Sequence, residues 1–201
     1  MSNIFYATWG WDEQYTPKEW VELLIPHIEH LKDKIIRCPF DKADSQFVIV
    51  LKEHGFKVVY SHIDYGQNFF EYQPKEWDVI ISNPPYTNKR KYWERCLELW
   101  KPFALLLPLN ILSDSMINVT MKNRGGGMWL LIPQKRMRFY NAITWEVWQS
   151  PTFKATYFGV NIFKQRSLLW DVLRSISKIW ESEVQRANLI EAVVRPCDCK
   201  E

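Results

Sequence analysis

The run Asp78-Val79-Ile80-Ile81-Ser82, closed by Asn83-Pro84-Pro85, restricts the fold of this chain more than any other segment. Its three inner residues, Val79, Ile80 and Ile81, are β-branched with no polar alternation, so a strand here is covered on both faces. The proline pair then ends it, because proline has no amide to give to a ladder. A strand buried on both faces belongs in the middle of a sheet with helices above and below it.

The flanking sequence agrees with that placement. Residues 17–31 read as a helix with Thr16 as cap and Pro17 in its first turn; Trp20, Leu23, Leu24, His27 and Leu31 share a face. Ile35-Ile36 opens a strand that stops at Cys38-Pro39, Ser45 caps a helix that ends at Gly55, and residues 57–63 read as the next strand. Beyond the proline corner come a helix over 90–100, a strand over 103–107, a helix around 113–122, a glycine break at 125–127 and strands over 129–132 and 156–163. An amphipathic helix over 167–186 closes the pattern. Alternating strands and helices predict an α/β fold, a mostly parallel central sheet with helices on both faces. At 201 residues the chain reads as a single domain.

Composition excludes several classes. With 7 Gly, 11 Pro and 24% charged residues, the chain is neither fibrous nor low-complexity. Four Cys do not make a disulfide framework at this length, and Cys197-Asp198-Cys199 lacks further ligands for a metal. No leader-like segment and no 18-residue apolar run is present, which predicts a cytoplasmic protein with no membrane span. A net charge of +3 permits a nucleic-acid partner without requiring one; phosphate contacts fall to Lys89-Arg90 and to Arg136 with Arg138.

In open α/β sheets ligands bind outside the carboxyl ends of the strands. Those ends are Cys38-Pro39-Phe40-Asp41, His62-Ile63-Asp64 and Asn83-Pro84-Pro85-Tyr86. The last suits one chemistry well. An exocyclic aromatic amine is a poor nucleophile because its lone pair is delocalised into the ring. Two acceptors aimed at its N–H bonds localise that pair and fix the nitrogen in line with an incoming methyl. Asn83 offers a side-chain carbonyl, Pro84 a backbone carbonyl, and Pro85 stiffens the turn. Tyr86 supplies a flat face for a base taken out of its stack.

Residues 78–86 resemble the catalytic motif of amino-methyltransferases, chiefly the N6-adenine enzymes and their cytosine N4 and glutamine relatives. Tyr15-Thr16-Pro17 resembles the cofactor element that meets the methionine part of S-adenosylmethionine. Arg136 to Phe139, Pro151-Thr152-Phe153 and the strand over 156–163 resemble the closing β-hairpin region. The whole is similar to small adenine methyltransferase-like proteins carried by bacteriophages. The resemblance implies a Rossmann-like S-adenosylmethionine-dependent methyltransferase fold with an antiparallel hairpin at one edge. It also implies DNA or RNA as substrate and a cofactor held by Tyr15, Thr16, Pro17, Cys38, Pro39, Phe40, Asp41, His62, Asp64, Asn68 and Phe69. Little sequence remains for target recognition, which leaves room for a protein partner.

One element departs from the family. Residues 38–47 contain no glycine, and Lys42 and Asp44 stand where glycines are expected. His62 takes the place of the ribose-binding acid, with Asp64 two residues on, and Asn68 stands for an adenine-binding Asp. Two readings follow: an active enzyme with altered cofactor contacts, or a catalytically silent binding module.

Overall fold

The computed structural model describes residues 14–113, 128–133, 137, 139–141 and 154–163. The helices expected at 113–122 and 167–186, the 125–127 break, Arg136, Arg138, Cys197 and Cys199 lie outside the described residues, apart from Ser113 itself.

In chain order the elements are β1 (Gln14–Tyr15), α1 (Lys18–Glu22), α2 (Ile25–Ile28), β2 (Ile35–Cys38), α3 (Gln46–Glu53) and β3 (Lys57–Tyr60). They continue with β4 (Val79–Ser82), α4 (Lys89–Glu98), β5 (Phe103–Pro108), β6 (Met128–Leu131), β7 (Tyr140–Asn141) and β8 (Ala155–Val160). Six strands form one sheet in the order β3-β2-β4-β5-β8-β6, and β1 pairs with β7 in a separate two-stranded ribbon. β2 runs parallel to β3 and β4, and β4 parallel to β5. β8 is antiparallel to both β5 and β6, so it alone in this sheet runs against its neighbours. The fold is therefore the expected Rossmann-like α/β sheet. Its antiparallel edge is a strand slotted between β5 and β6, with β7 intervening in sequence before β8 closes the sheet.

Every residue of β4 and β5 is buried, as a central strand covered on both faces requires. Val79 and Ile81 join Val21, Leu24, Phe47 and Leu51 in one core; Ile80 joins Trp93, Leu97, Phe103 and Phe158 in the other. Helices α1 to α3 thus cover one face and α4 the other. Each such side chain contributes on the order of 1.5–3 kcal/mol by leaving water.

The first helix differs from its sequence pattern. It breaks after Glu22, resumes as α2, and ends in a 3₁₀ turn at Glu29–Leu31. Pro26 is the cause: it lacks the amide that would bond the Glu22 carbonyl, and its ring crowds that carbonyl. Thr16 does not cap α1 either; Pro17 occupies the cap position with no side-chain bond. Ser45 does cap α3, accepting from the Val48 amide at 3.3 Å, and Gly55 follows that helix at φ 81°. β3 stops at Tyr60 because the chain turns into a 3₁₀ segment, Ile63–Tyr65, after His62.

Candidate functional site

The chain passes from β2 outward to β3, then crosses back to place β4 on the other side of β2. Loops leaving β2 and β4 therefore diverge, and such a switch point opens a crevice at the strands' carboxyl ends. A cleft of about 850 Å³, counting the open space at its mouth, lies there.

Three segments converge on it. Tyr15 and Thr16 come from the ribbon strand and the approach to α1, Pro39 to Asp41 from the loop after β2, and Asn83 to Pro85 from the corner after β4. His62, Asn68 and Phe69 complete the wall on the β3 side. Asn83 Nδ2 lies 3.3 Å from Thr16 Oγ1, so the amide nitrogen donates across the cleft and its carbonyl oxygen is turned to the other side. The threonine hydroxyl that the sequence suggests as a helix cap thus orients the corner's amide.

Other expected residues take different places. Cys38 is wholly buried in the core beside α1 to α3, and Pro17 is buried at the start of α1; neither lines the cleft. Tyr86 is half-buried just outside the lining, with its ring edge-on to Phe139 at 6.3 Å and 89°. Lys89 is half-buried, and Arg90 is exposed and paired with Glu94 at 3.3 Å.

The glycine-free loop is not an obstacle of backbone geometry. Among the described residues only Trp100 and Asn161 carry positive φ outside glycine, so residues 39–45 adopt conformations open to any side chain. Two polar pairings engage side chains of this loop. Lys42 reaches Asp64 at 2.6 Å, and this ammonium holds the Asp64 carboxyl below the usual carboxylate range. Asp64 is half-exposed and does not line the cleft, whereas Lys42 does. Asp41 is buried; Ser45 Oγ donates to its Oδ1 at 2.7 Å and Ser82 Oγ to its Oδ2. Burial pushes the Asp41 carboxyl up to about 6, against the pull of the hydrogen bonds from Ser82 and Ser45.

On the opposite wall His62 Nδ1 accepts the Asp64 backbone amide at 3.1 Å and lies 3.4 Å from the Asp64 carboxylate. Asn68 Oδ1 accepts the Phe70 amide at 3.1 Å, which pins that side chain within its own turn. Phe40 packs edge-on against Phe69 at 4.9 Å and Tyr92 at 4.7 Å, forming an apolar floor. The loop carrying Asn68 and Phe69 is stapled from below by Arg37, fully buried on β2. Arg37 donates to the Tyr72 carbonyl at 2.6 Å and lies 5.1 Å from the Phe69 and Trp77 rings. Burial lowers its pKa to about 10.

Sequence reasoning missed Tyr92, Arg37 and Ser82. Ser82 carried a signal, being the one polar residue at the end of an otherwise apolar strand. Tyr92 carried another, as an aromatic in the first turn of the helix that follows the corner.

No protein-family model matches the chain, and no curated protein matches it. Solved structures do. An O-methyltransferase from Thermotoga maritima, named as S-adenosylmethionine-dependent, is 11% identical, with 77% of this chain and 69% of that one covered and a TM-score of 0.44. A protein from Pyrococcus horikoshii, provisionally described as an RNA methyltransferase, is 14% identical over 75% of this chain and 86% of its own, with a TM-score of 0.43. A release-factor-specific protein-(glutamine-N5) methyltransferase from Alicyclobacillus acidocaldarius is 12% identical over 69% and 88%, with a TM-score of 0.38. No helix among the described residues is long and apolar enough to cross a membrane.

Proposed function

We propose that this chain is an S-adenosylmethionine-dependent methyltransferase that modifies the exocyclic N6 amine of adenine in DNA or RNA. One observation carries the reading: Asn83, Pro84 and Pro85 line the same cleft as Thr16, Phe40, His62 and Asn68, at the switch point of the sheet.

The cleft's residues fit the cofactor. Phe40 and Phe69 offer an apolar surface to its adenine, while Asn68 and His62 offer polar contacts for the nucleoside. Thr16, next to Asn83, meets its methionine part. The cofactor supplies an electrophilic methyl carried on a sulfonium sulfur. The protein's contribution is orientation. The Asn83 side-chain carbonyl and the Pro84 backbone carbonyl accept the two amine hydrogens, which turns the nitrogen lone pair toward the donor. Lys89 and Arg90, with Tyr86 just outside the cleft lining, are the proposed contacts to the nucleic acid. Arg136 and Arg138 belong to the same proposed contact set. A partner chain supplying target recognition belongs to the same proposal, in the cytoplasm of the cell that holds the nucleic acid.

Transfer of a radiolabelled methyl group from S-adenosylmethionine to unmethylated DNA and RNA tests the reading. Incorporation well above an Asn83→Ala control is expected, with N6-methyladenosine or its deoxy form recovered after nuclease digestion. Incorporation into glutamine of a protein moves the substrate to a side-chain amide. No calorimetric binding of S-adenosylmethionine refutes the enzyme and leaves a silent binding module.

A further inference from the structure

The Asp41 carboxylate, expected from the resemblance to meet the cofactor, has both of its oxygens engaged by serine hydroxyls of the protein. It sits between the loop that follows β2 and the last residue of β4, buried, with one oxygen on Ser45 and the other on Ser82. Each partner commands a different part of the site. Ser45 caps α3, and its backbone amide closes the loop by donating to Lys42 at 3.1 Å. Ser82 is fully buried and directly precedes Asn83. Asp41's own amide donates to the Ser61 carbonyl at 3.2 Å, so the loop is also tied to the residue before His62.

We infer that Asp41 is a positioning residue that fastens the cofactor loop to the catalytic corner, doing with a hydrogen-bonded side chain what a close-packed glycine turn does by contact. The inference rests on the methyltransferase reading above. Three arguments support it. The loop lacks glycine and positive φ, and the side-chain bonds of Asp41 add to the backbone bonds of Ser45 and Asp41 in holding its path. The Ser82 link is the direct hydrogen bond from that loop to the corner's own strand end, while the Thr16 bond fixes Asn83 from the other side. A buried carboxylate lowers stability at neutral pH, and groups kept at such a cost concentrate at functional sites. Misplacing an oriented acceptor by an ångström is enough to slow a reaction about a hundredfold.

The test uses the full chain with Asp41→Ala, Asp41→Asn and Ser82→Ala. Initial rates of methyl transfer are measured against both substrates, alongside calorimetric binding of S-adenosylmethionine and thermal unfolding. Asn keeps an acceptor for the Ser82 hydroxyl and offers its NH2 to Ser45 Oγ, which turns from donor to acceptor, so it is the conservative variant. Asp41→Ala and Ser82→Ala are expected to lower kcat at least tenfold. Under the same substitutions KM for the nucleic acid stays within about twofold, and Asp41→Asn restores most of kcat. Cofactor affinity falls with Asp41→Ala, which frees the loop, and holds with Ser82→Ala, which frees only the corner. Equal kcat in all variants overturns the inference, as does a kcat loss that tracks the melting temperature and is not rescued by Asn. If the unsubstituted chain neither binds the cofactor nor transfers a methyl, the functional reading has failed instead, and the variants will show no split to interpret.

Discussion

The buried Asp41 carboxyl makes stability depend on pH in a direction opposite to most acidic side chains. Its pKa rises from 3.8 to about 6 on folding. The folded state therefore holds the proton more tightly than the unfolded chain does. The contribution of this group is most favourable below pH 3.8, declines as pH rises toward 6, and is flat above that. A shift of roughly two units at about 1.4 kcal/mol per unit makes the neutral-pH cost about 3 kcal/mol. Asp41→Asn removes the titration and keeps a neutral group that bonds both serines. At pH 8 the variant is expected to be about 2–3 kcal/mol more stable than the unsubstituted chain, raising Tm by roughly 5–10 °C. At pH 4 the two should nearly coincide. Urea unfolding followed by tryptophan fluorescence across pH 4–8 measures this, and the difference between the two curves cancels the other titrating groups. A difference that stays constant with pH, or a variant less stable at pH 8, would refute the account of Asp41 as a desolvated carboxylate.

Further substitutions address separate parts of the molecule. Asn83→Ala should cut methyl transfer about a hundredfold or more, since a preorganised acceptor is lost; comparing kcat with calorimetric cofactor affinity shows whether the loss is in the chemistry alone. Ser45→Ala removes the cap of α3 and a bond to Asp41, and denaturation should record a loss of about 1–2 kcal/mol. Phe158→Ala empties a fully buried site against Trp93 and should cost about 3–5 kcal/mol in the same measurement.

Much of the scaffold is legible in the sequence because its signals are local. β4 is an uninterrupted apolar run ended by a proline pair, and α3 lies between Ser45 and Gly55. Where a local signal misled, a neighbouring residue overrode it: Pro26 broke an otherwise helical period at Glu22. Cys38 was legible as a strand end, but strand alternation turned its side chain into the core, away from the cleft. Tyr86 was legible as part of the corner, yet the 3₁₀ turn that begins at it carries the ring against Phe139.

The pairings that make the site are of another kind. Asp41 and Ser82 lie 41 residues apart, and Thr16 and Asn83 lie 67 apart. No periodicity or cap signal relates such positions; they meet because β4 returns to the far side of β2. The insertion of β8 between β5 and β6 is likewise a matter of sheet order, which no local signal in any of the three strands sets. By itself the sequence determined the sheet's central strands, the corner that ends β4 and the chemistry that corner is suited to. Only the tertiary structure decided that a glycine-free loop closes on that corner through a buried carboxylate, because strand order, not sequence separation, sets which side chains share a cleft.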